Sequence, residues 1–329
     1  MIPGGSGQVG QMLAAYFHSR GDAVTVLARQ AAENPWRTVI WNGHDLDPSW
    51  LREIEGADVV INLAGRSVNC RYHPANRREI KESRLQTTRL IGRAIGECAH
   101  PPAVWMNAST ATIYRHSLDR PMDEATGEIG GREAGLPSTW KFSIDVATSW
   151  EEAFFSAATP CTRKIALRSA MVMWPSPGGI FTTLLSLVRA GLGGRAGTGK
   201  QFVSWIHGDD FIRALEFLIA HGEFTGIVNV SAPSPLPNYE FMRELRRAAC
   251  VRIGLPAAKW ILEIGAVFLR SETELILKSR RVVPARLLQS GFEFRFPRWG
   301  EAADNLIRKM RERVSANEVP NPKHSATTN

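Results

Sequence analysis

Short apolar runs alternate with amphipathic stretches through the first two-thirds of the chain. Brief runs rich in Val, Ile and Ala predict buried strands, and apolar residues three and four positions apart predict helices with one buried face. The predicted strands are 23–28, 38–41, 58–65, 103–107 and 163–168, and the predicted helices are 51–54, 77–98 and 139–158. Because strands and helices alternate, the pattern predicts an α/β fold with a doubly wound parallel sheet.

Three glycines at the start of the chain precede another amphipathic helix. Gly4, Gly7 and Gly10 form a G-x-x-G-x-x-G sequence, and the apolar positions that follow are Val9, Met12, Leu13, Tyr16 and Phe17. Glycines allow a tight turn and a close approach to a pyrophosphate, and a helix N-terminus offers free N–H donors. With strand 23–28 behind it, this is the pattern of a dinucleotide-binding unit. We predict that the cofactor contacts are Gly4, Gly5, Ser6, Gly7, Gln8 and Val9.

The first strand of that unit is nearly absent from the chain, since only Met1, Ile2 and Pro3 precede the glycines. In a doubly wound sheet the first strand lies at the centre, with a neighbour on each side. Pro3 cannot donate a hydrogen bond to either neighbour. We therefore expect the natural product to begin upstream of Met1.

The pattern changes after residue 174. Helices are predicted at 181–191, 209–221, 239–253, 260–269 and 272–277, with short strands at 201–207 and 228–230. We predict a dinucleotide-binding domain at 1–232, in which 174–200 contributes to the substrate cleft, and a small, mostly helical domain at 233–312. Residues 313–329 are predicted to be a disordered tail, because 317–329 is polar, lacks a periodic apolar face and contains Pro320 and Pro322.

Composition narrows the class of protein only slightly. The chain has 329 residues, 44% hydrophobic and 22% charged, which is typical of a globular protein. Its net charge of +8 suits an anionic ligand, and equally a protein with no anionic partner. The four cysteines are scattered without a C-x-x-C pair, which argues against a metal site and favours the reducing cytoplasm. The longest apolar stretches fall short of the roughly 20 residues of a membrane span, so no membrane association is predicted.

Two further patterns suggest other ligands but fit them poorly. Residues 194–200 match G-x-x-x-x-G-K, yet Gln201 stands where a triphosphatase needs Ser or Thr, and a helix rather than a strand precedes the loop. A basic run spans Arg66 to Arg93 and could attract nucleic acid, but it lacks interleaved aromatic residues. We interpret it as a solvated helix face, or as a surface that steers an anionic substrate, and predict no nucleic-acid partner.

Several segments resemble the extended short-chain dehydrogenase/reductase superfamily: the glycine loop, NLAG at 62–65 and STATIY at 109–114. Others resemble its branch of "NAD-dependent epimerase" proteins with a C-terminal module called DUF1731, and these are 82–88, 191–194, 199–210 and 278–292. The resemblance covers about residues 1–310 and implies a Rossmann-type NAD(P)-binding domain with a small substrate domain. It adds Leu63, Ala64, Gly65, Arg84 and Arg168 as cofactor contacts and places Gln201, Trp205 and His207 in the substrate cleft.

The end of the second strand indicates which dinucleotide is preferred. NAD-binding proteins usually carry an acidic residue there, which binds the ribose 2′-hydroxyl. This chain has Arg29 at that place, and a guanidinium can pair with a 2′-phosphate. We predict NADP(H) as the preferred cofactor, with NAD(H) as the second choice; the alternative interpretation of Arg29 is an ordinary exposed arginine.

The superfamily's catalytic pair is missing. It consists of Tyr-x-x-x-Lys on one helix, where the lysine lowers the tyrosine pKa so that the phenol can transfer a proton. No tyrosine of this chain is followed by that spacing, and the matching positions are Phe142 and Val146. Thr110 and Tyr114 are the remaining catalytic candidates; each has an alternative interpretation, as a turn residue and as a packing residue. His207 is more typical of a structural histidine at a strand end.

Two functional hypotheses remain. The first is an NADP(H)-dependent oxidoreductase or epimerase-like enzyme that acts on a small molecule, for which an anion is one option. The alternative is a non-catalytic NADPH-binding sensor or scaffold. The sequence carries no pattern that identifies the substrate or the oligomeric state.

Overall fold

The computed structural model describes residues 1–256 and 274–318. The strands in this part of the chain are β1 Ile2–Pro3, β2 Thr25–Ala28, β3 Arg37–Ile40, β4 Val59–Asn62, β5 Val104–Thr110, β6 Arg163–Ser169, β7 Met171–Met173, β8 Phe202–Val203, β9 Trp205–His207, β10 Gly226–Val230 and β11 Leu236–Pro237. The helices are α1 Gln8–Ser19, α2 Pro48–Ile54, α3 Pro74–Glu97, α4 Ser138–Phe155, α5 Ile180–Arg189, α6 Gly208–Ala220, α7 Asn238–Ala248, α8 Glu274–Leu277, α9 Ala285–Gln289 and α10 Trp299–Glu318.

Seven parallel strands make up the central sheet. Strands β3, β2 and β1 pair in that order, and β4, β5, β6 and β10 form the other half. The halves meet where Ile61 N–H donates to Met1 O and Leu63 N–H donates to Pro3 O, each at 2.9 Å. The two-residue β1 therefore lies at the centre with a neighbour on each side, and the predicted doubly wound α/β fold is confirmed.

Alternate residues of the strands pack into different cores, because successive side chains point to opposite faces of a sheet. On one face Val26 and Met106 pack with α1 and α6. On the other face Leu27 and Trp105 pack with α2, α3 and α4. Both faces are thus covered by helices, and the strands read as continuous apolar runs for that reason.

A further core forms around two tryptophans. The Trp205 and Trp299 rings meet edge to face with centroids 5.0 Å apart, and Phe241 stacks on Trp299 at 4.1 Å. This core joins α5, which precedes the predicted domain boundary at 232, to α7 and α10, which follow it. Conversely, Leu287 and Phe292 pack into the sheet core. The two predicted domains therefore share their cores.

Two predicted ends differ clearly from the structure. The helix predicted at 239–253 ends at Ala248, since Cys250 adopts a φ of 58° that a helix cannot continue. The final helix runs to Glu318, past the predicted start of the tail at 313. The helix predicted at 260–269 and the rest of the tail lie outside the described residues. Within the described part of the chain, no helix is both long and apolar enough to cross a membrane.

Candidate cofactor and substrate site

The glycine turn after β1 is shaped by close backbone contacts. Gly4 has a φ of +74°, and a Cβ there would lie 2.6 Å from backbone atoms of Ala64. A Cβ on Gly10 would lie 2.4 Å from the Cα of Gly5, which holds the start of α1 against the turn. Gly7 caps α1 without a side-chain hydrogen bond, so the first N–H groups of the helix stay available to an anion.

An outer cavity of about 550 Å³ opens beside this turn, at the carboxyl ends of β1, β2 and β4. The predicted cofactor contacts that line it are Gly4, Ser6, Gly7, Arg29, Leu63, Ala64 and Gly65. Asn42, His44 and Arg66 complete the side near Arg29. Carboxylates enter the wall only from α3, at Glu79 and Glu82, so none lies at the end of β2.

The remaining predicted contacts of the turn do not line the outer cavity. Gly5 packs against β2, where its added Cβ would lie 2.9 Å from the Val26 side chain. Gln8 donates a side-chain hydrogen bond to the hydroxyl of Ser176. Val9 packs at the edge of the sheet core. These three residues support the turn by packing and hydrogen bonding away from the outer cavity.

An inner cavity of about 310 Å³ lies at the carboxyl ends of β5 and β6, against α3 and α4. Its wall includes Thr110, as predicted, together with Phe142 and Val146, the positions of the missing catalytic pair. The Thr110 hydroxyl accepts a hydrogen bond from Thr112 N–H at 3.1 Å and starts a short 3₁₀ turn at 111–113. Arg84 also lines this cavity.

Tyr114 and Arg168 lie behind the inner cavity rather than in its wall. The Tyr114 hydroxyl donates to Asn229 Oδ1 at 2.9 Å, and the Arg168 guanidinium lies 4.9 Å from the tyrosine ring centroid. Arg168 donates to both carboxylate oxygens of Glu151, at 2.8 and 2.7 Å. Burial raises the pKa of Tyr114, although the Arg168 charge lowers it. Arg168 is bound by this cluster and lines neither the outer nor the inner cavity, and its predicted cofactor contact stays a prediction.

The predicted cleft residues are also buried away from the inner cavity. Gln201 donates to Ala196 O at 2.9 Å, and Trp205 packs on Trp299. His207 Nδ1 accepts from Asp209 N–H at 3.0 Å and so caps α6. Burial lowers the pKa of His207 to about 4, which keeps the ring neutral at physiological pH. The three residues hold elements together and line neither the outer nor the inner cavity, and their place in the substrate cleft stays a prediction.

Sequence reasoning missed a polar group beside the inner cavity. Tyr72, Ser143 and Arg280 line the wall, and Ser143 donates to Glu274 Oε2 at 2.5 Å. Arg280 Nε donates to Thr112 Oγ1 at 3.0 Å. From the sequence, Arg280 is expected to be a solvated residue. Its burial depends on the packing of the C-terminal segment against the sheet, and the sequence pattern does not show that packing. Its one signal is the charge cluster inside an otherwise apolar segment at 274–288.

The two patterns set aside in the sequence take structural roles. Residues 194–200 join the end of α5 to β8, the reverse of the strand–loop–helix order that binds a triphosphate. Many charges of the basic run are paired: Arg66 with Glu79, Lys81 with Asp145 at 2.7 Å, and Arg93 with Glu97 at 3.7 Å. Arg84 differs, since it points into the protein toward the inner cavity.

Comparison with protein families agrees with this geometry. Residues 1–135 match the model of the NAD dependent epimerase/dehydratase family. Residues 257–306 match DUF1731, a domain of unknown function. The first match contains the turn, the end of β2 and Thr110, so it covers most of the two cavity walls.

Individual proteins extend the match over the whole chain. The human epimerase family protein SDR39U1 is 31% identical over 312 residues, which cover 93% of this chain and 99% of the relative. A crystal structure of human SDR39U1 isoform 2 with NADPH superimposes with a TM-score of 0.80 at 28% identity, covering 93% of this chain and 98% of that one. UDP-N-acetylglucosamine 4-epimerase from Bacillus cereus shares the fold, with a TM-score of 0.70 at 15% identity over 94% of this chain and 98% of that one. The chain belongs to the NAD-dependent epimerase/dehydratase family, beside the SDR39U1-like epimerase family proteins.

Proposed function

We propose that this protein is an NADPH-dependent oxidoreductase that holds the dinucleotide across the outer and inner cavities. The observation that carries the proposal is the junction of the two cavities. Gly65 lines the outer cavity and Arg84 lines the inner one, and a Cβ on Gly65 would lie 3.0 Å from Arg84 Cγ. The two cavities are therefore adjacent, and a dinucleotide bound at the glycine turn would extend past Arg84 toward the ends of β5 and β6.

The residues present fit a dinucleotide. The turn at Gly4 leaves room for a diphosphate because no side chain occupies it, and the first N–H groups of α1 can donate to phosphate oxygens. The inner cavity is largely apolar around Phe142, Val146 and Met171, which suits the flat face of a nicotinamide. The NADPH in the human relative's crystal structure supports the same choice.

Arg29 favours NADPH over NADH. Its side chain lines the outer cavity just after β2, where a 2′-phosphate would replace a ribose hydroxyl, and Arg66 lies in the same wall. A guanidinium binds phosphate with paired hydrogen bonds, whereas a carboxylate would repel it. We expect Arg29→Ala to weaken NADPH binding about 10-fold, which is the value of one charge-assisted contact of about 1.4 kcal/mol, and to leave NADH binding unchanged.

Calorimetric titration of the full chain with each reduced dinucleotide tests this choice. Arg89→Ala is the matched control, because it removes an exposed cation of α3 that lines neither cavity. Tighter binding of NADH than of NADPH by the wild-type protein would reject the cofactor preference. A lack of binding to both would reject the proposed function itself.

The chemistry proposed for the inner cavity is carbonyl reduction or its reverse. Bound NADPH supplies a hydride to the carbon of a substrate carbonyl. The hydroxyl of Thr110 lies in the wall and can donate a hydrogen bond to the carbonyl oxygen while one of its two lone pairs accepts from Thr112 N–H. Arg84 and Arg280 in the same wall favour a small substrate that carries an anionic group. The catalytic roles of Thr110 and Tyr114 stay predictions.

The second candidate is a protein that binds NADPH as a sensor or scaffold without turnover. The observation in its favour is that Phe142 and Val146 line the inner cavity, since neither side chain can transfer a proton or carry a charge. Consumption of NADPH against a panel of carbonyl compounds and nucleotide sugars separates the two functions. Turnover that falls in Thr110→Val supports the enzyme, and tight NADPH binding without turnover supports the sensor.

A further inference from the structure

The inner cavity lacks the usual proton donor and cation on α4, but a phenol enters it from Tyr72, just before α3, and a cation enters it from Arg84 on α3. We propose that Tyr72 donates the proton to the substrate and that Arg84 stabilises the phenolate left behind. The proposal rests on the oxidoreductase function proposed above. It assigns to the α3 side of the cavity the roles that Phe142 and Val146 cannot perform.

Tyr72 lies against the position of the missing phenol. Its ring meets that of Phe142 edge to face, with centroids 5.2 Å apart, and both residues line the inner cavity. The main chain is held by Arg77, whose Nε donates to Tyr72 O at 2.7 Å. The Tyr72 side chain is also hydrogen-bonded to Ser143, the residue next to Phe142. A phenol therefore enters the wall where α4 presents only an apolar ring.

Arg84 provides a cation near the position of the missing lysine. Its Cζ lies 5.1 Å from the ring centroid of Trp150, one helical turn beyond Val146 on α4. Arg84 Nη1 donates to Ile80 O at 2.8 Å, and no ion pair joins Arg84 to a carboxylate within 1–256 and 274–318. A guanidinium has five N–H donors, so most of them remain for a ligand.

The protonation states agree with this division of roles. Burial, with a smaller contribution from Glu274, raises the pKa of Tyr72 to about 12, so the phenol holds its proton at neutral pH. The Arg84 charge acts in the opposite direction and lowers the pKa of Tyr72. Burial lowers the pKa of Arg84 to about 10, which still leaves it charged at neutral pH. Tyr72 is thus protonated near a fixed cation, and the Arg84 charge makes the phenol a stronger acid than burial alone would leave it.

Proton transfer from Tyr72 accompanies the transfer of hydride to the substrate. When the carbonyl carbon gains its hydride, the π electron pair of the carbonyl moves onto the oxygen. The Tyr72 O–H bond breaks, and its proton joins that oxygen to complete the alcohol. The negative charge on the phenolate is stabilised by Arg84 until a water molecule returns a proton. Tyr114 is not placed for this step, because it lies behind the cavity, whereas Tyr72 lies in the wall.

The test compares the full-length wild-type protein with Tyr72→Phe, Arg84→Gln and Arg84→Lys. NADPH affinity is measured by calorimetry, and reduction of 2,3-butanedione and benzaldehyde is followed by NADPH absorbance. Tyr72→Phe should lower kcat about 100-fold, the usual effect of losing a general acid, and leave the NADPH Kd within twofold. Arg84→Gln should lower kcat and also raise the NADPH Kd, whereas Arg84→Lys should restore part of both. The control is Tyr239→Phe, whose exposed hydroxyl donates to Glu240 and lines neither cavity.

Ser143→Ala gives a second test that leaves the tyrosine ring in place. It removes a hydrogen bond that lowers the pKa of Tyr72. We expect kcat to fall in this variant while the NADPH Kd stays within twofold, because a phenol with a higher pKa is a weaker acid. Thermal unfolding checks that each variant is folded.

The outcomes separate this inference from the proposed function. If the wild type reduces a probe and Tyr72→Phe keeps kcat within threefold, the inference is wrong and the oxidoreductase stands. If the wild type binds NADPH but reduces neither these probes nor the wider carbonyl panel, both are overturned and the sensor stands. If Tyr114→Phe rather than Tyr72→Phe abolishes turnover, the proton donor is the residue predicted from the sequence.

Discussion

Single residues differ in how far their roles follow from the sequence alone. Gly4 and Arg29 could be predicted, because a glycine turn and the end of a second strand are recognised by their local neighbours. Tyr72 and Arg280 could not, since they reach the inner cavity only after distant segments have packed. His207 was ambiguous in the sequence, and burial resolved it as a neutral helix cap. The residues of the outer cavity can therefore be predicted from local sequence, whereas several residues of the inner cavity cannot.

Gly4 provides a test at this scale. We predict that Gly4→Ala weakens NADPH binding by at least about 10-fold, because a Cβ there would lie 2.6 Å from the Ala64 backbone and displace the turn. Gly21→Ala is the matched control, since Gly21 has a φ of +90° with nothing within 4 Å of its Cβ position. It carries the same kind of backbone strain, about 1 kcal/mol, away from the site. Equal losses of NADPH affinity in the two variants, measured by calorimetry, would contradict this role for the turn.

Elements were predictable where their periodicity is local. The helix at 77–98 and the strand at 163–168 were close to α3 and β6, because continuous apolar runs and amphipathic stretches leave plain patterns. Helix α10 was missed, although Trp299, Ala302, Ala303, Leu306 and Ile307 are all buried at helical spacing. The stretch at 201–207 splits into β8 and β9, which pair with different partners, and only tertiary structure decides that.

His207 tests the packing of α6 against α10. Its Nδ1 caps α6, its Nε2 lies 3.2 Å from Asn305 Oδ1, and its folded pKa lies near 4 instead of 6.5. The unfolded chain therefore binds more protons between these pH values, so stability is complete above pH 6.5 and is lost as the pH falls toward 4. We predict a loss of about 3 kcal/mol across this window, at about 1.4 kcal/mol per pKa unit.

His207→Asn should flatten this pH dependence. Asparagine keeps an acceptor for the α6 cap but does not titrate. The two proteins are therefore compared by the slope of the free energy of unfolding against pH, and not by their absolute stability. The free energy of unfolding is measured with urea at pH 4.5, 5.5 and 6.5 in both proteins. An unchanged slope in the variant would show that other groups control acid unfolding.

The whole molecule joins what the sequence suggests are two domains. Helix α5 packs with α7 and α10, while Leu287 and Phe292 from the C-terminal half pack into the sheet core. Arg280 brings the same half to the wall of the inner cavity. A division at 232 follows from the change of sequence pattern, but a pattern along the chain contains no information about which cores are shared. The substrate end of the site depends on that sharing.

Cooperative unfolding tests this arrangement. Because the cores are shared, we predict one unfolding transition for the described fold, and NADPH at 100 times its Kd should stabilise it by about 2.7 kcal/mol. NADH at the same concentration should stabilise it less, as Arg29 favours the 2′-phosphate. Calorimetric unfolding with and without each dinucleotide measures both effects, and Gly4→Ala should show almost no shift. Two transitions, of which NADPH moves only one, would mean that the C-terminal half unfolds independently. The inner cavity would then lose Arg280 from its wall while the glycine turn still held the cofactor.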